Sequence, residues 1–222
     1  MNILSILRII HVASGALALL VLPLPLVVKK GSLAHRRGGW VFTRAMMVGA
    51  VTGTPLVVAR VMVNPQFGLF LAQIMVLTIV SLWFGLRALT AKQPDRRFPI
   101  ERVGAYVAIA LSLTGFGLAV WYQVPVFAAF GALTAFLSFQ WVRFFSNPYR
   151  EKFSWFLMHL TGMGTLAIST LTAFTVTNAQ WIGVPASLRW IAWIGPPALG
   201  ATGLTVWQRF YRARFQISAT AG

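Results

Sequence analysis

The chain has 222 residues, of which 58% are hydrophobic and only 10% charged, with 19 Lys and Arg set against 3 Asp and Glu. A soluble domain carries about a quarter charged residues, so this chain has too little polar surface to cover a water-facing globule. It has no cysteine, which excludes disulfides, thiolate metal sites and cysteine nucleophiles.

Crossing hydrocarbon takes about 20 apolar residues per helix. On that measure the sequence predicts seven spans, over 4–28, 40–63, 67–89, 103–122, 125–144, 153–177 and 188–209. The expected fold is all-α, a polytopic membrane helical bundle of seven transmembrane helices in a single domain, 1–222. The first run reads as a span rather than a cleaved signal, because its positive charge, Lys29-Lys30, follows it. Pro23 and Pro25 loosen its last turns.

The stretch "HRRGGWVF" (35–42) comes next. Arg36 and Arg37, with Lys29 and Lys30, are expected to anchor the topology and meet lipid phosphates. Gly38 and Gly39 are expected to turn the chain before Trp40 enters the second span. His35 reads as a solvated loop residue, or in a sharper version as a partner of His159 in a pH-sensitive or metal site. Within the second span Ala45, Gly49 and Gly53 place a small residue at every fourth position, a packing seam. Contacts inside the bundle are favoured over a dimer contact, since seven helices need internal seams.

The connection "TAKQPDRRFPIER" (90–102) adds Arg96 and Arg97 as further anchors and is too short to fold alone. Only "WYQVP" (121–125) separates spans four and five, a tight hairpin. Trp121, Tyr122, Trp181, Trp190 and Trp193 suit one membrane interface, and Trp40, Trp141, Trp155 and Trp207 the other. The paired prolines of "GPPALG" (195–200) are expected to kink the last span.

The distribution of charge sets the orientation. All the lysines and arginines except Arg8, Arg60 and Arg189 fall on one side of this arrangement. By the positive-inside rule that side is cytoplasmic, with the N-terminus outside and the C-terminus within. The basic excess therefore meets the lipid bilayer and its anionic head groups, and nucleic acid is not needed to explain it.

Little machinery for chemistry lies at bilayer depth. Asp95, Glu101 and Glu151 all belong to connections, whereas proton-coupled carriers place carboxylates on their pathway. The last span has no lysine for a retinal Schiff base, and paired-carboxylate and phosphate-loop motifs are missing. Two histidines remain in spans, His11 in "HVASGALAL" and His159 in "HLTGMGTLAI". An intramembrane ionisable side chain is a functional candidate by default.

Gly15 and Gly162, about one turn after each histidine, share its helix face and would let a flat haem b or quinone approach the backbone. Met163, Leu166 and Thr170 continue the His159 face, and Thr161, Thr165, Ser169 and Thr172 form a second stripe suited to helix–helix hydrogen bonds. At 1.5 Å per residue His11 stands about 26 Å above Lys29 and His159 about 10 Å above Lys152, so one haem between them is disfavoured. Met62 or Met75 is a possible partner for His11, although methionines in apolar helices usually serve packing.

The His of "HVASGALALL", then "HRRGGWVFTRAMMVGAVTG", then "HLTGMGTLAISTLTAF" together resemble a family of uncharacterised bacterial multi-pass membrane proteins, a domain of unknown function. His35, Arg36, Gly38 or Gly39, and Trp40 match its loop approximately, and His11, His159, Thr172, Ala173 and Phe174 its membrane positions. The resemblance covers about half the chain and implies a bacterial inner-membrane location. Three functions stay open. The leading one is a non-catalytic binding or accessory subunit of a membrane assembly, with Ala45, Gly49 and Gly53 or an aromatic face meeting a protein partner or a second copy. The others are an electron-transfer protein holding haem b or quinone at the histidines, and an uncoupled small-molecule carrier or exporter.

Overall fold

A computed structural model describes residues 2–92, 97–149 and 153–220, with side chains as far as 215 in the last segment. Its α-helices are α1 (Ile3–Val21), α2 (Pro23–Val27), α3 (Leu33–Val63), α4 (Pro65–Ala88), α5 (Pro99–Trp121), α6 (Pro125–Ser146), α7 (Ser154–Asn178) and α8 (Arg189–Thr220). No strand occurs among the described residues. The chain is an all-α bundle of seven long helices, with the short α2 appended to α1.

Among the described residues six stretches are long and apolar enough to cross a membrane: α1 with α2, α3, α4 with its short 3₁₀ extension, α5, α6 and α7. This is a multi-pass membrane protein. The seventh long helix, α8, has ample length at 32 residues but is less apolar, with Pro196 and Pro197 inside it and Arg209, Arg212 and Arg214 in its second half. It nevertheless lies against α7 along the bundle.

Local sequence explains where the helices begin. Pro65, Pro99 and Pro125 each stand in the first turn of α4, α5 and α6, where a missing N–H costs nothing and the fixed φ suits the helix. The Asn64 side chain caps α4 by accepting from the Phe67 N–H at 3.1 Å. The α5–α6 hairpin closes through Gln123, which takes a left-handed φ of 58°.

The largest difference from the sequence expectation concerns residues 33–39. They form the first turns of α3, not a loop, and Gly38 and Gly39 make no turn. Ser32 is the N-cap, its hydroxyl accepting from the His35 N–H at 3.2 Å. Gly38 is buried, and a Cβ there would stand 2.8 Å from Leu24 Cδ2. Its small size lets α2 lie on α3.

The α4 helix is central, packing against α3, α5, α6 and α7. Phe84, Ala88, Ala105, Trp141 and Phe145 form a buried aromatic core at the end of the bundle where α4 finishes and α5 begins. Trp141 is only 1% exposed, so it belongs to this core and not to the interfacial belt expected for it. Trp121 and Trp181, exposed at 82% and 89%, do face outward. At the same core end, buried Glu101 pairs with Arg87, joining α4 to α5.

Candidate functional site: an intramembrane cavity with a histidine on its wall

A cavity of about 1220 Å³ opens among α1, α3, α4, α6, α7 and α8. That exceeds the ~300–1,000 Å³ of typical small-molecule pockets. Its wall is mainly apolar and includes His11 and Gly15 from α1 and Gly49 and Gly53 from α3. No Cβ contact within 4 Å would arise at Gly15, so space lies open beside the helix there.

The His11 ring is held by one hydrogen bond. Its Nδ1 stands 2.9 Å from the Gly49 carbonyl oxygen. A carbonyl only accepts, so Nδ1 carries the proton and Nε2 of the neutral ring keeps its lone pair. Nε2 can therefore take a hydroxyl proton in a hydrogen bond or ligate a metal. Ser14 is not activated by this ring, because its hydroxyl donates to the His11 backbone carbonyl at 2.8 Å. A Ser–His nucleophile is thus not assembled here.

The small residues of α3 make this arrangement possible. A Cβ at Gly53 would come within 2.9 Å of His11 Cε1 and 2.7 Å of Met75 Cε, and one at Gly49 within 3.3 Å of Ser14 Oγ. Ala45 is buried with Ala18 and Leu22. Ala45, Gly49 and Gly53 thus face α1 within the chain, and the α3 seam does not present them to a partner. Met75 lies beside His11 over Gly53, whereas Met62 is 81% exposed and does not line the cavity.

His159 repeats the bond but not the setting. Its Nδ1 is 2.9 Å from the Gly85 carbonyl oxygen, so an α7 imidazole is held by an α4 carbonyl just as an α1 imidazole is held by an α3 one. His159 does not line the cavity. Gly162 is packed tightly against α4, since a Cβ on it would meet Gly85 Cα at 2.5 Å. That close crossing leaves no slot for a flat ligand, which corrects the expected role of Gly162. The depths differ as well: Gly49 lies roughly 24 Å along α3 from Leu33, and Gly85 roughly 5 Å from the end of α4 at Ala88. The two histidines do not face a common haem plane.

The stripe of Thr161, Thr165, Ser169 and Thr172 lines the cavity. It contributes little helix–helix bonding, because Thr161 and Thr172 donate back to Leu157 and Ile168 of their own helix. One bond does cross between helices, from Gln208 Nε2 of α8 to Thr161 Oγ1 at 2.8 Å.

His35 serves a structural purpose. Its Nδ1–H donates to the Pro25 carbonyl at 3.1 Å, and the Lys30 ammonium donates to the carbonyls of Pro25 and Leu26 at 2.8 and 2.6 Å. Both groups satisfy the end of α2, where carbonyls lack helical partners. Lys30 also lies 4.4 Å above the Trp207 ring, and its burial pushes the ammonium pKa below the ordinary value. His35 and Lys92 are near enough to act electrostatically on His159, but among the described residues no three His, Asp or Glu side chains converge on a metal position. Of the expected anchors, Lys29, Arg36, Arg37 and Arg97 are exposed, while Arg96 lies outside the described residues.

Sequence reasoning did not find the cavity's α8 wall. Trp193, Pro197, Ala201, Leu204, Gln208 and Arg212 all line it. Their spacing of three or four residues is the one signal that would have revealed a shared face. Trp193 packs on Phe70 at 4.7 Å between ring centroids and so closes this wall instead of joining an interfacial belt.

Comparisons with models of protein families, with curated proteins and with solved structures give no match.

Proposed function

We propose that this chain is a non-catalytic, membrane-embedded binding protein whose ligand occupies the cavity between α1, α3, α4, α6, α7 and α8. The observation that carries this reading is the size and mainly apolar wall of the cavity, with an oriented imidazole at His11. Among the described residues the one carboxylate, buried Glu101, is paired with Arg87, and Ser14 donates to a backbone carbonyl instead of to the His11 ring. The distribution of Lys and Arg supports an orientation with the N-terminus outside and the C-terminus cytoplasmic, and the resemblance of the His11, His35 and His159 motifs supports a bacterial inner-membrane setting. The seam of Ala45, Gly49 and Gly53 is used up inside the chain, so an accessory role in an assembly would rest on other faces.

The test is organic extraction of protein purified in mild detergent from native membranes, followed by mass spectrometry. A retained apolar compound, lost in Gly15→Phe, supports the reading, because that side chain would fill open cavity space. Extracts that are empty for wild type and variant alike would overturn it.

A second reading, a haem b or quinone carrier, is favoured specifically by the bare Nε2 of His11. That atom would ligate iron or accept from a quinol hydroxyl. An absorption spectrum before and after dithionite reduction, with a quinone assay of the same extract, separates the readings. Sharp reduced bands, or quinone, lost in His11→Ala would move the redox function to first place.

A further inference from the structure

The wall of the cavity is polarised along α8. Trp193, Pro197, Ala201, Leu204, Gln208 and Arg212 make one continuous stripe, which at 1.5 Å per residue runs about 28 Å. That is close to the ~30 Å thickness of a bilayer's hydrocarbon. The space is therefore long, a shape suited to an extended chain more than to a compact disc.

Its two ends differ in chemistry. At the Trp193 end the wall is aromatic, with Phe130 beside the indole. At the other end stand Gln208 and Arg212, and Arg212 is the one charged side chain on the wall among the described residues. Its guanidinium makes no ion pair among those residues, since Glu101, the one acid among them, is held by Arg87. The guanidinium is exposed where this end of the cavity opens, no carboxylate among the described residues balances it, and an anion on the ligand matches it electrostatically.

We propose that the cavity binds an anionic long-chain amphiphile, its carboxylate or phosphate held by Arg212 and its hydrocarbon tail lying along α8 toward Trp193. This deepens the binding function proposed above and rests on it. Gln208, held to Thr161, would fix the wall one turn from the head group and present it at a set depth. With the C-terminus cytoplasmic, the head group sits at the inner leaflet, where a lipid of that leaflet or a free fatty acid could enter.

Native mass spectrometry of the full chain, stripped of lipid and titrated in neutral detergent, tests this with three probes: oleate, oleyl alcohol and phosphatidylglycerol. The expected result is retention of at least one anion over oleyl alcohol by about tenfold or more, as for a hydrogen bond to a charged group. Which anion is retained identifies the head as carboxylate, phosphate or either. Arg212→Gln should abolish the preference while still binding oleyl alcohol weakly, and Arg212→Lys should keep most of it. Equal binding of all three probes, or a preference unchanged in Arg212→Gln, would overturn the anionic assignment and leave the binding function standing. If wild type binds none of the three, both this inference and an apolar-ligand function fall. Circular dichroism of each variant separates loss of binding from loss of fold.

Discussion

Replacing Gly162 with Ala is expected to weaken the bundle far more than one added methyl suggests. The new Cβ would lie 2.5 Å from Gly85 Cα, 2.7 Å from the Ser81 carbonyl oxygen and 3.0 Å from Gly85 N. All three are backbone atoms of α4, so no side chain can rotate away and the helices must separate. Overpacking of this kind costs about 1–3 kcal/mol. Separation also stretches the 2.9 Å bond from His159 to the Gly85 carbonyl, and a hydrogen bond between membrane helices contributes about 0.6 kcal/mol. A total near 2 kcal/mol shifts the folded-to-unfolded ratio roughly 30-fold. Steric trapping in bicelles would measure it. The control is Gly117→Ala on exposed α5 backbone, where nothing lies within 4 Å of the added Cβ and where alanine's helix propensity favours a small gain. Equal stability of Gly162→Ala and wild type, or an equal loss in Gly117→Ala, would refute the argument from close crossing.

Glu101→Gln should destabilise by about 1–2 kcal/mol, because Arg87 loses its charged partner but is itself about a third exposed and partly hydrated, while the double change Arg87→Met with Glu101→Met should recover most of that loss in thermal melts. Gln73 is 3% exposed and its Nε2 has no hydrogen-bond partner among the described residues, so Gln73→Met should stabilise by about 1–2 kcal/mol, read in the same assay. Lys30 has a lowered folded pKa, so the unfolded chain binds more protons between that value and 10.5. Its contribution to stability therefore rises with pH through that window, and melts of wild type minus Lys30→Met should show that upward trend.

The sequence pattern locates the long helices because hydrocarbon thickness fixes their length and proline marks their starts. Five of the seven begin within two residues of the expected position: α1, α4, α6, α7 and α8. It fails at α3, where Gly38 and Gly39 read as a turn although a membrane helix tolerates glycine and Gly38 is needed to receive Leu24. The Ser32 cap was the available correction. The unequal depth of His11 and His159 was visible from residue counts alone. Their partners were not, because nothing local tells Gly49 or Gly85 that its carbonyl will meet an imidazole from another helix. The cavity was hidden for a similar reason: spacing shows that Trp193 to Arg212 share a face, but only packing shows that the face is left unfilled.

The finish of α2 has a consequence for how the chain is made. The carbonyls of Pro25 and Leu26 are satisfied by Lys30 and His35, and His35 is positioned by the first turn of α3. During synthesis the first hairpin cannot be completed when its first arm leaves the ribosome. It waits for the residues that open the second arm. The stretch from Ser32 to Gly38 thus works as a clasp fastened late, and lengthening the linker before Ser32 should leave each helix intact while the first two arms lose their fixed register.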